Sequence, residues 1–134
     1  MNYFSISDFN ISGEPIPEMV ADKILRFHIE PLNMVSMNLP FEIIISQNSG
    51  YRSVKWEKSK GRLGNSQHCF KGNGAVDLTC KDFDNDFNSL LDALIHYTDY
   101  TRFAIYDNFI HCDYAFTPGN RWVFNKKWER MYQI

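Results

Sequence analysis

The spacing of apolar residues along this chain changes in the order helix, strand, loop, strand, helix, strands, which leaves few ways to build a core. Met19, Val20, Ile24, Leu25 and Phe27 recur at a helical period, behind a Pro17 suited to a first turn and a Glu18 that complements the N-terminal dipole. Pro31 is expected to break or kink that helix, leaving residues 32–37 as a second short helical piece. Residues 40–46, β-branched at Ile43, Ile44 and Ile45, read as a strand entering a turn through Asn48, Ser49 and Gly50. Residues 51–67 are polar and read as a long loop with one helical turn, and loops of that length tend to carry function. Residues 74–79 read as a strand, and 86–97 as a helix with Phe87, Leu90, Leu91 and Leu94 on one face. Residues 102–106 and 109–116 read as strands that meet at Asp107-Asn108 as a hairpin-like pair, and 1–16 as an extended lead-in. The expected fold is α+β, with a small mixed or antiparallel sheet flanked by helices.

A chain of 134 residues has room for one domain, spanning 1–134, and for a core that needs no covalent staples. Fourteen basic residues against sixteen acidic ones give a net charge of −2, which argues against a nucleic-acid partner held by bulk charge. Three cysteines, Cys69, Cys80 and Cys112, are an odd number for a disulfide framework. The first residues show no charged segment followed by an apolar run, so synthesis in a cytoplasm without a signal peptide is expected. No apolar run approaches the ~20 residues of a membrane span, so no membrane insertion is expected, and a monomer is.

The four histidines differ in their company. His28 sits beside Phe27 and Ile29 in the first helix and reads as a structural residue, partly buried or on the surface. His96 ends the second helix, where an imidazole favours the dipole. His68 lies in Ser66-Gln67-His68-Cys69, and His111 in Asn108-Phe109-Ile110-His111-Cys112-Asp113. Two imidazoles and a carboxylate make a three-ligand zinc set with one open position, although spacing alone does not establish one.

Four segments occur in a telling order: Ser49-Gly50-Tyr51-Arg52-Ser53, Asn65-Ser66-Gln67-His68, Gly74-Ala75-Val76-Asp77 and Ile110-His111-Cys112-Asp113. In these the chain resembles the zinc D-alanyl-D-alanine carboxypeptidases and L-alanyl-D-glutamate endopeptidases of bacteria and their phages, relatives of the hedgehog fold. The resemblance runs from about Ile24 to Asp113, and Ile29-Glu30-Pro31-Leu32, Tyr106 and Arg121-Trp122 are similar to parts of it as well. It implies a Zn2+ held by His68, Asp77 and His111. It also implies an Arg52 placed by Tyr51-Arg52 beside the substrate, and a Ser66 that binds or orients it. The implied activity is hydrolysis of an amide in the peptidoglycan stem peptide, as in a phage or prophage lysin released to the wall by a separate pore.

The chain departs from that pattern twice. The family's usual histidine-to-aspartate spacing is two positions shorter than the nine that separate His68 from Asp77, which points to a bulge over 70–73 eased by Gly72 and Gly74. Many members carry an acidic general base three residues before the last histidine, and that position is Asn108. Strand alternation puts Asp107, Phe109, His111 and Asp113 on one face. Asp113, roughly 6.5–7 Å from His111 along a strand, is expected as the catalytic base or as a partner of the histidine, with Asp107 as runner-up. A zinc-containing binding domain without hydrolysis stays open beside the enzyme. Cys69 and Cys112 follow the two histidines but read as buried packing residues, and Trp122, Phe124 and Trp128 as a lid on the core.

Overall fold

The computed structural model describes residues 4–46 and 49–134. Asn48 of the expected turn and the first three residues of the lead-in lie outside the described residues.

The first helical pattern is one unbroken run in three parts: α1 (Glu18–Ile24), a π-helical segment (Leu25–Ile29) and α2 (Glu30–Met37). Pro31 therefore does not break the helix. Proline lacks the N–H that would reach the carbonyl four residues back, and its ring crowds that carbonyl. Here that carbonyl belongs to Phe27, in the wider π-helical turn, and the Tyr114 hydroxyl donates to it. Extra turn width and an outside donor together make the proline tolerable.

Six strands form one mixed sheet: β1 (Ile44–Ile45), β2 (Ala75–Thr79), β3 (Arg102–Ile105), β4 (Ile110–Asp113), β5 (Trp122–Asn125) and β6 (Arg130–Gln133). Their order is β1-β2-β4-β3-β5-β6, antiparallel except for the parallel β3–β5 pair. The α+β expectation holds, but the strand expected over 40–46 shrinks to two residues. The last two strands, which lie beyond the expected ones, extend the sheet past β3.

Alternation gives the sheet two unlike faces. Val76, Leu78, Phe103, Ile110, Cys112 and Val123 point to a buried cluster completed by Leu32 and Val35 of α2 and by Leu90, Leu91 and Leu94 of α4 (Phe83–Tyr97). Helix α4 starts three residues earlier than its periodicity suggests. Asp82 caps it, its carbonyl accepting from the amides of Asn85 and Asp86. The other face carries Asp77, His111, Asp113 and Arg102.

Candidate metal centre

Strand pairing assembles the centre. Asp77 of β2 and His111 of β4 are direct register partners, and partners in an antiparallel pair project to the same face. Arg102 of β3 is likewise opposite Asp113. Ser49 fixes the backbone of Asp77 from the side, its hydroxyl donating to the Asp77 carbonyl and accepting from the Asp77 amide. His68 arrives from a 3-10 turn, Gln67–Cys69, whose cap is the Ser66 side chain accepting from the His68 amide at 3.2 Å. The Arg52 amide donates to the His68 carbonyl at 2.8 Å and ties the two loops together.

The expected relief between His68 and Asp77 exists, with a different distribution. Left-handed backbone falls on Phe70 (φ 58) and Gly74 (φ 87), not on Gly72. A Cβ on residue 74 would overlap the Phe70 ring, so the turn admits only glycine there.

His68, Asp77 and His111 are all buried, with ligand atoms within 4.8 Å of one another. The His68 Nδ1–H donates to the Gly50 carbonyl at 2.8 Å, which turns Nε2 toward Asp77 Oδ1 at 3.4 Å. His111 Nδ1 lies 2.8 Å from the same oxygen, and its Nε2 lies 2.7 Å from Asp113 Oδ2. Donor atoms around a tetrahedral zinc sit ~3.3 Å apart, so this group needs little rearrangement to hold an ion. Neutral imidazoles and one carboxylate also suit zinc chemically, and the residues fit the metal that the resemblance implies.

Without an ion, protons perform the same neutralisation. Burial disfavours a charged His111, but hydrogen bonds to Asp113 and Asp77 outweigh it and raise its pKa to about 9. Burial pushes the Asp77 carboxyl up, and hydrogen bonds from His111 and His68 hold it well below the usual carboxylate range.

The structure gives Asp113 the second of its two expected roles. Its carboxylate is fully buried, grips His111 Nε2, forms a two-pronged pair with Arg102 (2.9 and 2.6 Å) and accepts the Ala115 amide. It sits on the far side of the imidazole from Asp77 and orients the ring, so it is not a base facing the ligand group. Burial opposes its charge, yet His111 and Arg102 bring its pKa down to about 2. Asp107, the runner-up, is exposed and paired with Lys126 at 3.1 Å, outside the centre.

Arg52 lines the cleft, its guanidinium 3.8 Å from both Asp77 and buried Glu57. Ser66 lines it too. Tyr51 does not. In an extended segment neighbouring side chains point apart, so Tyr51 turns into the core against Phe70 while Arg52 faces the cleft. Cys69 and Cys112 are buried, unpaired and outside the ligand group, and burial pushes both thiols up.

Tyr106, Phe109 and Trp128 complete a cleft of about 270 Å3, small enough to receive only the reacting part of a larger molecule. Tyr106 and Phe109 stack at 4.5 Å. Trp128 is not simply a core lid. It adopts φ 61, rare for a bulky residue, and donates its indole N–H to the Tyr106 hydroxyl at 2.8 Å. Its ring lies 4.5 Å from the Arg102 guanidinium and 5.3 Å from His111. Strained backbone of this kind concentrates at functional sites. Its only trace in the sequence is an aromatic residue following the cationic turn Lys126-Lys127.

No family model, curated protein or solved structure matches the chain.

Proposed function

We propose that this protein is a zinc-dependent peptidase that hydrolyses an amide bond in the peptidoglycan stem peptide, on a fold akin to the D-alanyl-D-alanine carboxypeptidases and the hedgehog domain. The observation that carries the proposal is the buried His68–Asp77–His111 group, set in an open cleft beside Arg52, with the outer nitrogen of each imidazole held by an acceptor. His68 Nε2, the Asp77 carboxylate and His111 Nδ1 would hold the ion. When bound, zinc supplies Lewis acidity toward the scissile carbonyl and brings the pKa of water toward ~7.

The protein's own residues supply the rest. Arg52 offers a fixed, always-charged fork to a substrate carboxylate or to charge developing on the carbonyl oxygen. Tyr106, whose oxygen takes the Trp128 N–H, keeps its own proton for a substrate acceptor. Asp113 holds His111 in one tautomer and one orientation.

One observation favours a second reading, a zinc-containing binding or virion-associated domain without hydrolysis. Among the described residues, no uncommitted carboxylate lines the cleft: Asn108 stands at the resembled family's base position, and Asp113 and Asp107 are both paired. Metal analysis followed by digestion of purified peptidoglycan, with mass spectrometry for new amino termini, separates the two. One zinc per chain with new termini is expected. Zinc without cleavage across several wall types selects the binding domain. A metal-free protein whose His68→Ala variant behaves like the parent overturns both.

A further inference from the structure

The chain is acidic as a whole, yet five of its fourteen cationic side chains fall within one short stretch: Arg52, Lys55, Lys58, Lys60 and Arg62. The stretch contains one acid, Glu57, and the fold hides it. Helix α3 (Val54–Ser59), capped by the Ser53 hydroxyl, turns Glu57 inward to 1% exposure, where it pairs with Arg62 at 2.9 Å and Arg52 at 3.8 Å. The cations stay outside. Lys55, Lys58, Lys60 and Arg62 are all exposed, and the three lysines form no ion pair among the described residues. Lys60, Arg62 and Arg52 surround the Trp56 indole, at 5.5, 5.4 and 6.0 Å from the ring centre. Like charges gathered at that density repel, so folding alone gives no reason to concentrate them. Through Arg52 this ridge runs directly into the cleft that holds His68, Asp77 and His111.

We propose that the α3 ridge is a docking surface for a flexible phosphodiester polyanion lacking bases, a polyol-phosphate polymer of the kind carried by cell walls. Unpaired lysines act as mobile point charges that match spaced phosphates and demand no fixed geometry. The chemistry also disfavours single-stranded nucleic acid, whose sequence-tolerant binding needs open aromatic faces for base stacking. Trp56 is the one aromatic side chain on this ridge, and cations already surround its ring. A polymer on the ridge would lead its attached wall toward the cleft and supply the local attraction that a net charge of −2 withholds. The proposal rests on the proposed function only for the identity of the polymer.

The test is binding of the full-length, zinc-loaded protein to purified poly(glycerol phosphate), to neutral dextran of equal length and to single-stranded DNA of equal charge, over a range of salt. Retention on walls before and after hydrofluoric acid removes their phosphodiester polymers completes it. Lys55→Gln/Lys58→Gln/Lys60→Gln removes three exposed charges and no ion pair, so the variant folds, as circular dichroism will verify. Expected are salt-sensitive binding to poly(glycerol phosphate), loss of ~10-fold or more in the triple variant, and a salt slope shallower by about 2. Stripped walls should retain less protein than intact ones. Binding no tighter than to dextran, or a triple variant that binds like the parent, overturns the proposal. DNA bound as tightly as poly(glycerol phosphate) overturns the choice of polymer. None of these readouts needs turnover, so a protein that docks without cleaving wall peptide refutes the peptidase and leaves the surface standing.

Discussion

A carboxylate enclosed by an imidazole, a guanidinium and a backbone amide has no lone pair to spare, which is the condition of Asp113. Replacing it should therefore act through His111. Asp113→Asn is expected to weaken zinc binding by about 10–100-fold, measured by chelator competition, whereas Asp77→Asn removes a ligand outright. His28 carries a different prediction. It is fully buried, not partly exposed: its Nε2–H donates to the Asn73 carbonyl and its Nδ1 accepts from the Tyr100 hydroxyl, both at 2.8 Å. Burial leads in lowering its pKa to about 4. An unfolded histidine takes its proton near pH 6.5, so between pH 6.5 and 4 the unfolded chain binds a proton that the folded one refuses. The stability that His28 confers is complete above pH 6.5 and falls on acidification, by on the order of 3 kcal/mol at pH 4. In urea unfolding of the metal-free protein, the cost of His28→Ala should accordingly shrink from pH 7 to pH 4. Nothing local to His28 signals this environment, because its partners lie 45 and 72 residues away. His68, by contrast, was legible in outline from its place in the ordered segments Asn65-Ser66-Gln67-His68 and Gly74-Ala75-Val76-Asp77, whereas the Ser66-capped turn that presents it was not.

Among the elements, the 70–74 turn is the most constrained. Gly74→Ala places a methyl group in the Phe70 ring at a backbone angle that alanine resists. A loss of about 2 kcal/mol or more in thermal unfolding is expected, with zinc affinity falling too because the turn joins His68 to β2. The sequence announced a bulge here but assigned its freedom to both glycines, since spacing says nothing about which residue must turn left-handed. Helix α4 was plain because its apolar face repeats over four turns. Strands β5 and β6 were not: each has four residues, and β6 is exposed along its whole length, so no alternation separates them from a loop. The continuous helix past Pro31 was likewise hidden, because the hydroxyl that serves the Phe27 carbonyl comes from Tyr114, 87 residues on.

At the scale of the whole molecule, the sheet keeps apolar side chains on one face and the ligand group on the other, so the two can fail separately. A ligand that binds only the folded state adds RT ln(1 + [L]/Kd), about 2.7 kcal/mol at a hundredfold excess over Kd. Added zinc is therefore expected to raise Tm by roughly 10 °C, and a chelator to reverse it, with the His68→Ala variant indifferent to both. The α+β order of elements could be read in the sequence because periodicity is local. The strand order could not, because pairing β2 with β4 is decided by contacts across more than thirty residues.

That same pairing sets Asp77 directly opposite His111. Slide one strand by a single residue and the two side chains leave on opposite sides of the sheet, unable to share an ion. Metal affinity would thereby be withheld from every sheet misaligned by one residue, so an ion bound there would favour the correct strand register over its neighbours.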